Sequence, residues 1–307
     1  MRPVYRRAPR AWNHDEWTAF AAAAFAVVLW GVLPLLRGAI DQVPPLLTTA
    51  VALGCAALAE TLRGWLADLA RPAPARATGT APLPAGRGLV LSATLVGAIG
   101  FYFVGLDWAP PAQVTLVTYV WPLMFVAASE VLTFGRVRGV VLAGCAVAFA
   151  GSAVLVTAGA DGGAARAHGL GYAAGLASGL CWVVYSLALR RGPTLGPGAW
   201  PQLFTLAAVF AAALHAALEP AAALGAGTLA VCAVIGTGPY GLAFVAWAYG
   251  VRRGPARTVG ALAYAVPFVA AGALVLVGGV QPSWQLAVGG TAVVAGVVLA
   301  NRRAATT

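Results

Sequence analysis

Apolar residues recur along this chain in blocks of roughly 20, the length at which a helix rising 1.5 Å per residue crosses a hydrocarbon core of ~30 Å. Ten blocks are legible, at 17–37, 44–64, 88–108, 112–134, 138–157, 169–190, 198–218, 225–250, 255–279 and 284–301. Strands of a membrane β-barrel would alternate in polarity over ~10 residues. Stretches such as Ala21–Leu29 and Val293–Ala300 are instead apolar throughout. The pattern predicts an all-α integral membrane protein with ten transmembrane helices.

The connections are short except for 71–87 (RPAPARATGTAPLPAGR), whose Pro, Gly, Ala and Thr content suits a mobile solvent loop. Segments 1–16 and 302–307 are polar tails. The first block lacks the small-residue ending of a cleaved leader, so it reads as a retained span. Composition agrees: 61% of residues are hydrophobic and 9% charged, against ~25% charged in soluble domains.

Net charge is +10, but the basic residues lie in short loops and do not cluster on a soluble face, which argues against a nucleic-acid partner. Their distribution sets orientation, because short cytoplasmic loops carry the basic excess. With the N-terminus inside, Arg2, Arg6, Arg7, Arg10, Arg63, Arg71, Arg76, Arg87, Arg136, Arg138, Arg190, Arg191, Arg252, Arg253, Arg257, Arg302 and Arg303 fall on the inner side, and only Arg37 and Arg166 outside. One missed helix would invert every later loop. The split therefore supports ten spans with both termini cytoplasmic, in a bacterial-type inner membrane.

The chain also repeats itself. Trp30 and Trp182, 152 residues apart, each lie 13 residues into their spans. Tyr119-Val-Trp-Pro122 matches Tyr264-Ala-Val-Pro267 at an offset of 145, and Pro111-Ala112 matches Pro255-Ala256 within one residue of that offset. The expected halves are 17–157 and 169–301. Five helices per copy is an odd number, so the second copy enters the membrane upside down. Such inverted repeats suit a carrier that opens to either side of a midplane site.

Candidate chemistry gathers near mid-span. Pro122 and Pro267 each remove a backbone donor there and are expected to break or gate their helices. Trp30, Tyr102, Tyr119, Trp121, Trp182, Tyr185 and Tyr264 lie several residues inside their spans, although Trp and Tyr favour membrane interfaces. As a set they are expected to line a central cavity. Among ionisable groups within the spans, Glu60 is expected to pair with Arg63 or to snorkel, His215 lies near an outer end, and Glu130 is kept as a possible proton-coupling group. Arg37, at the outer end of the first span, is expected to snorkel, or else to attract a carboxylate. Cys55, Cys145, Cys181 and Cys232 have no metal-like spacing and read as packing residues. No metal, cofactor or catalytic set is expected. Gly171, Gly175 and Gly179 form a small-residue face, so the chain is expected as a monomer or a homodimer.

Taken together, these residues resemble the drug/metabolite transporter superfamily in its EamA-domain form. The resemblance covers about residues 17–303 and is clearest from Gly100 to Val156. There Tyr119-Val-Trp-Pro122 is similar to the corresponding segment of the aromatic amino-acid exporter branch. It implies inverted repeats, inside termini and a hydrophobic cavity, with Tyr102, Tyr119, Trp121 and Trp182 in cavity positions. Thr118 stands where the family often has Asn.

The expected function is passage of small neutral or zwitterionic metabolites, amino acids first, by alternating access. The absence of lysine and of midplane arginine argues against phosphorylated substrates. Amphipathic drugs or lipid-linked molecules are the alternative. An intramembrane enzyme would need a nucleophile and base, or paired metal ligands, at depth, and the spans hold none. A structural or receptor role gives no reason for the matched prolines.

Overall fold

The computed structural model describes residues 13–70, 83–109, 111–156, 168–277, 281 and 284–301; they form helices and turns, with no strand among them. Segments 1–12, 71–82, 157–167 and 302–307 lie outside the described residues, as do the tails, loop and arginines expected there.

The helices are α1 (His14–Gly38), α2 (Pro45–Leu69), α3 (Ala85–Trp108), α4 (Pro111–Thr118), α5 (Trp121–Phe134), α6 (Gly139–Val156), α7 (Gly169–Arg191), α8 (Ala199–Leu218), α9 (Ala226–Ile235), α10 (Ala243–Arg253), α11 (Ala256–Leu262), α12 (Ala265–Leu276) and α13 (Trp284–Asn301). They make ten rods, because α4 continues into α5, α9 into α10 through a π-helical turn at Gly236–Leu242, and α11 into α12. Eight rods are long and apolar enough to cross a membrane, and α6 and α13 are shorter apolar helices.

Local chemistry explains where the ends depart from the hydropathy pattern. α1 starts at His14 rather than Trp17 because Asn13 and Glu16 form a capping box: Asn13 Oδ1 accepts from the Glu16 N–H at 2.8 Å, and Glu16 Oε2 from the Asn13 N–H at 3.0 Å. Ala85–Arg87, expected in the loop, form the first turn of α3; just before it, Gln202 Oε1 of α8 accepts the Leu83 N–H at 2.8 Å. Pro44, ahead of α2, offers no side-chain cap. Glu219, at the end of α8, supplies one instead, its carboxylate accepting from the N–H groups of Leu46 (2.8 Å) and Leu47 (3.1 Å). His215 Nδ1 lies 2.9 Å from the same carboxylate.

Each mid-span proline follows a turn that interrupts its rod. A proline ring excludes the carbonyl four residues back and lacks an N–H, so each rod breaks just upstream: at Tyr119–Val120 before Pro122, and at Ala263–Tyr264 before Pro267. The turns tighten to three-residue bonds, Val120 N–H to Val117 O and Tyr264 N–H to Ala261 O, both at 3.2 Å. The first break is anchored to α7, where the Thr118 hydroxyl donates to the Gly175 carbonyl at 3.0 Å.

Packing brings distant parts of the chain together. α6 runs along α13, α3 along α7, α2 along α8, and α1 against α10 and α12. Small residues let backbones touch. A side-chain carbon at Gly151 would come within 2.7 Å of the Gly289 carbonyl oxygen, and one at Gly296 within 2.6 Å of that of Gly144. Similarly, Gly105 of α3 meets Gly171 and Gly175 of α7, while Gly250 of α10 meets Ala19 and Ala23 of α1. Gly171, Gly175 and Gly179 face α3, α4 and α5 of the same chain, so this glycine face is already covered without a second copy.

Candidate functional site

Tryptophans from four rods meet in the middle of the bundle. Trp30 (α1) lies 5.6 Å from Trp182 (α7), Trp182 5.8 Å from Trp121 (α5), Trp121 5.7 Å from Trp247 (α10), and Trp247 5.3 Å from Trp30, all between ring centroids. The four indoles close a ring, stacked, tilted or edge-on at spacings typical of favourable aromatic pairs. Trp121 enters it from the first turn of α5, directly after the break at Tyr119–Val120.

Phe244 backs the ring, 5.7 Å from Trp30 and 5.9 Å from Trp182. Tyr185 packs on Trp182 and Phe244, each at 6.0 Å. In this conformation the aromatics fill the centre. Trp247 and Tyr185 are fully buried and Trp121 nearly so, whereas Trp30 and Trp182 remain partly accessible.

Two indole N–H groups are turned into the protein. Trp30 Nε1 donates to the Pro239 carbonyl within the π turn at 3.0 Å, and Trp247 Nε1 to Ser186 Oγ at 3.2 Å. The Tyr185 hydroxyl has no partner among the described residues. Removing the acceptor in Ser186→Ala leaves a buried N–H unpaired, a loss of about 1–3 kcal/mol. A lower melting temperature in detergent is expected, and an unchanged one would show that this bond contributes nothing.

The remaining sequence candidates lie around this ring, not in it. The hydroxyls of Tyr102 and Thr115 are 2.7 Å apart. Tyr119 occupies the first break and is partly buried. Tyr264, its counterpart in the second break, is fully buried; its ring lies 6.1 Å from Phe149, and its carbonyl accepts from Ser152 Oγ at 2.9 Å.

Glu130 holds Arg138 through two bonds of 2.6 Å, and the guanidinium sits 4.9 Å over the Phe134 ring. Those hydrogen bonds raise the affinity of Arg138 for its proton despite partial burial. Glu60 pairs with Arg63, as expected. Arg37 donates to the carbonyls of Ile40 and Val43.

Trp247, Phe244 and Ser186 were not evident as candidates. Trp247 sits late in its apolar block, five residues before Arg252, which reads as interfacial. The signal was nonetheless available: carried one rod further, the offset of 145 pairs Tyr102 with Trp247, and Gly105 with Gly250.

Below the ring, the ends of α7 and α10 hold each other. Arg190 Nη1 donates to the carbonyls of Val251 and Gly254, and Arg252 Nη1 to those of Leu189 and Gly192. Each guanidinium thus caps the C-terminus of the other helix. Arg191 adds a bond to the Leu132 carbonyl at 3.0 Å.

Residues 166–302 match the EamA-like transporter family. The aromatic amino acid exporter YddG of Ancylobacter novellus is 36% identical over 283 residues, 90% of this chain and 94% of that protein. A protein of Streptantibioticus cattleyicolor described as a probable terminal-alkyne amino-acid exporter is 32% identical over 228 residues, 68% of this chain and 72% of that one. One solved crystal structure superposes with a TM-score of 0.83 at 30% identity, over 93% of this chain and 98% of its own.

Proposed function

The chain belongs to the EamA-like transporter family, and we propose that it exports aromatic amino acids across a bacterial inner membrane by alternating access around the tryptophan ring. The observation that carries this reading is the ring itself: four indoles contributed by four rods, two from residues 17–157 and two from 169–301. A site built this way is remade whenever the halves move against each other.

Inverted repeats account for the packing. If the halves exchange, α3 on α7 must be mirrored by α10 on α1, while α2 on α8 and α6 on α13 map onto themselves; all four contacts are present. The correspondence extends to residues. Gly151 against Gly289 becomes Gly296 against Gly144 at the offset of 145, and Gly105 against Gly171 and Gly175 becomes Gly250 against Ala19 and Ala23 at 145 and 152. The arginine-capped end carrying Arg190 and Arg252 is read as cytoplasmic from the basic excess, and as the closed end of this conformation because its helix tips are bonded together. On this reading Tyr102 and Tyr119 line the way out from the ring.

Glu130 is read as a strut for Arg138, not as a proton carrier. Glu130→Gln is expected to cost about 1–3 kcal/mol through the weakened buried pair, while transport keeps its wild-type response to a pH gradient. Loss of that response would make Glu130 the coupling group.

The test is counterflow of labelled tryptophan and phenylalanine into proteoliposomes of the purified protein, beside protein-free vesicles. Saturable uptake of either is expected. None from folded protein would overturn the amino-acid reading and point to amphipathic or lipid-linked molecules.

A further inference from the structure

An aromatic side chain would be content against leucine or phenylalanine, yet the centre of this bundle is built from four indoles. Indole has the strongest cation-attracting face of any side chain, acting within about 6 Å of the ring centroid. Neighbouring centroids in the ring are 5.3–5.8 Å apart, so the rings touch, and a cation that enters as they part meets more than one indole at once. Trp30 and Trp247 have already spent their N–H groups on Pro239 and Ser186. Neither has a donor left for a carboxylate.

The buried carboxylates are engaged elsewhere, Glu60 with Arg63 and Glu130 with Arg138, and Glu219 caps α2. Beside the ring stands the fully buried Tyr185 hydroxyl, one helical turn from Trp182 and without a partner among the described residues.

We propose that the tryptophan ring is an ammonium site: when it parts, the substrate's α-ammonium binds against the indole faces of Trp30, Trp121, Trp182 and Trp247 and donates a hydrogen bond to the Tyr185 hydroxyl. This rests on the transport reading above and narrows it, because the recognised feature is a protonated amine beside an aromatic group rather than the aromatic group alone. The substrate's own carboxylate stays toward the wetter, partly exposed side of the ring and is not required for binding there.

The test separates the two readings. Binding of phenethylamine, phenyltrimethylammonium and 3-phenylpropionate to the purified protein is followed by intrinsic tryptophan fluorescence, which does not depend on transport. The same compounds are then used to compete with labelled tryptophan in proteoliposomes.

Both amines are expected to bind at least tenfold more tightly than 3-phenylpropionate and to compete in the same order. Comparable binding of 3-phenylpropionate, or no binding of either amine, overturns the ammonium site, and tryptophan uptake in the same vesicles leaves the transport reading standing. Binding of the amines without tryptophan uptake does the reverse. Tyr185→Phe is expected to weaken phenethylamine several-fold, while sparing phenyltrimethylammonium, which has no N–H to donate, and 3-phenylpropionate. Unchanged phenethylamine affinity in a folded Tyr185→Phe protein overturns the part assigned to the hydroxyl.

Discussion

Trp247→Ala is expected to reduce tryptophan uptake at least tenfold. The side chain is fully buried, contacts Trp30 at 5.3 Å and Trp121 at 5.7 Å, and is fixed by its bond to Ser186. Its removal opens one side of the ring and leaves a void; in cores, truncations of this kind cost about 3–5 kcal/mol. Stability and transport must therefore be read together. Trp247→Phe keeps an aromatic face but loses the indole N–H, so its melting temperature should fall less than that of the alanine variant. If the ring is the site, its transport should still fall severalfold, through a higher half-saturating tryptophan concentration. Wild-type uptake by a folded Trp247→Ala protein would remove Trp247 from the pathway and, with it, the case for a four-indole site.

Gly296→Leu is expected to be the most damaging substitution for the fold. A side-chain carbon there would stand 2.4 Å from the Ala148 backbone nitrogen and 2.6 Å from the Gly144 carbonyl oxygen. Neither atom belongs to a flexible side chain that can swing away, so α13 must separate from α6, against which it packs most extensively. Close backbone approach of this kind supplies much of the attraction between helices in lipid, where no hydrophobic drive exists between apolar rods. The overpacking alone costs about 1–3 kcal/mol, and the lost contacts along the pair add to it. Gly296→Leu should yield little monodisperse protein in detergent, with Gly296→Ala intermediate. Val294→Leu, on an exposed position of the same helix, should behave as wild type. A Gly296→Leu protein as stable as wild type would mean that the α6 and α13 contact is not what holds these rods.

Much of this was legible along the chain because the membrane simplifies the code. Hydropathy and arginine position gave ten rods, and proline chemistry placed both breaks within a turn. Matched offsets located three of the ring's four tryptophans on their rods, since Trp30, Trp121 and Trp182 lie near the middle of apolar blocks. The rest was hidden for particular reasons. The start of α1 depends on the Asn13 and Glu16 cap, polar residues that hydropathy discards. The π turn has no signature beyond glycines and Pro239, yet its carbonyl orients Trp30. Tyr264 matched Tyr119 in sequence but packs against Phe149, because position within a repeat does not fix which neighbour a ring meets. Glu219 serves a helix more than 170 residues away in sequence, and only the tertiary arrangement of α2 and α8 makes it a cap.

The clasp between Arg190 and Arg252 differs in kind from a gate made of ion pairs. A carboxylate partner would surrender its charge to acid, and an exposed pair would weaken as salt rises. Here each guanidinium grips main-chain carbonyls at the tip of the opposite helix, groups that do not titrate. Changes in acidity leave such a latch alone, and ionic strength touches it only weakly. What releases it is distance: it lets go when α7 and α10 are drawn apart, and parting the tryptophans these two helices carry is such a movement.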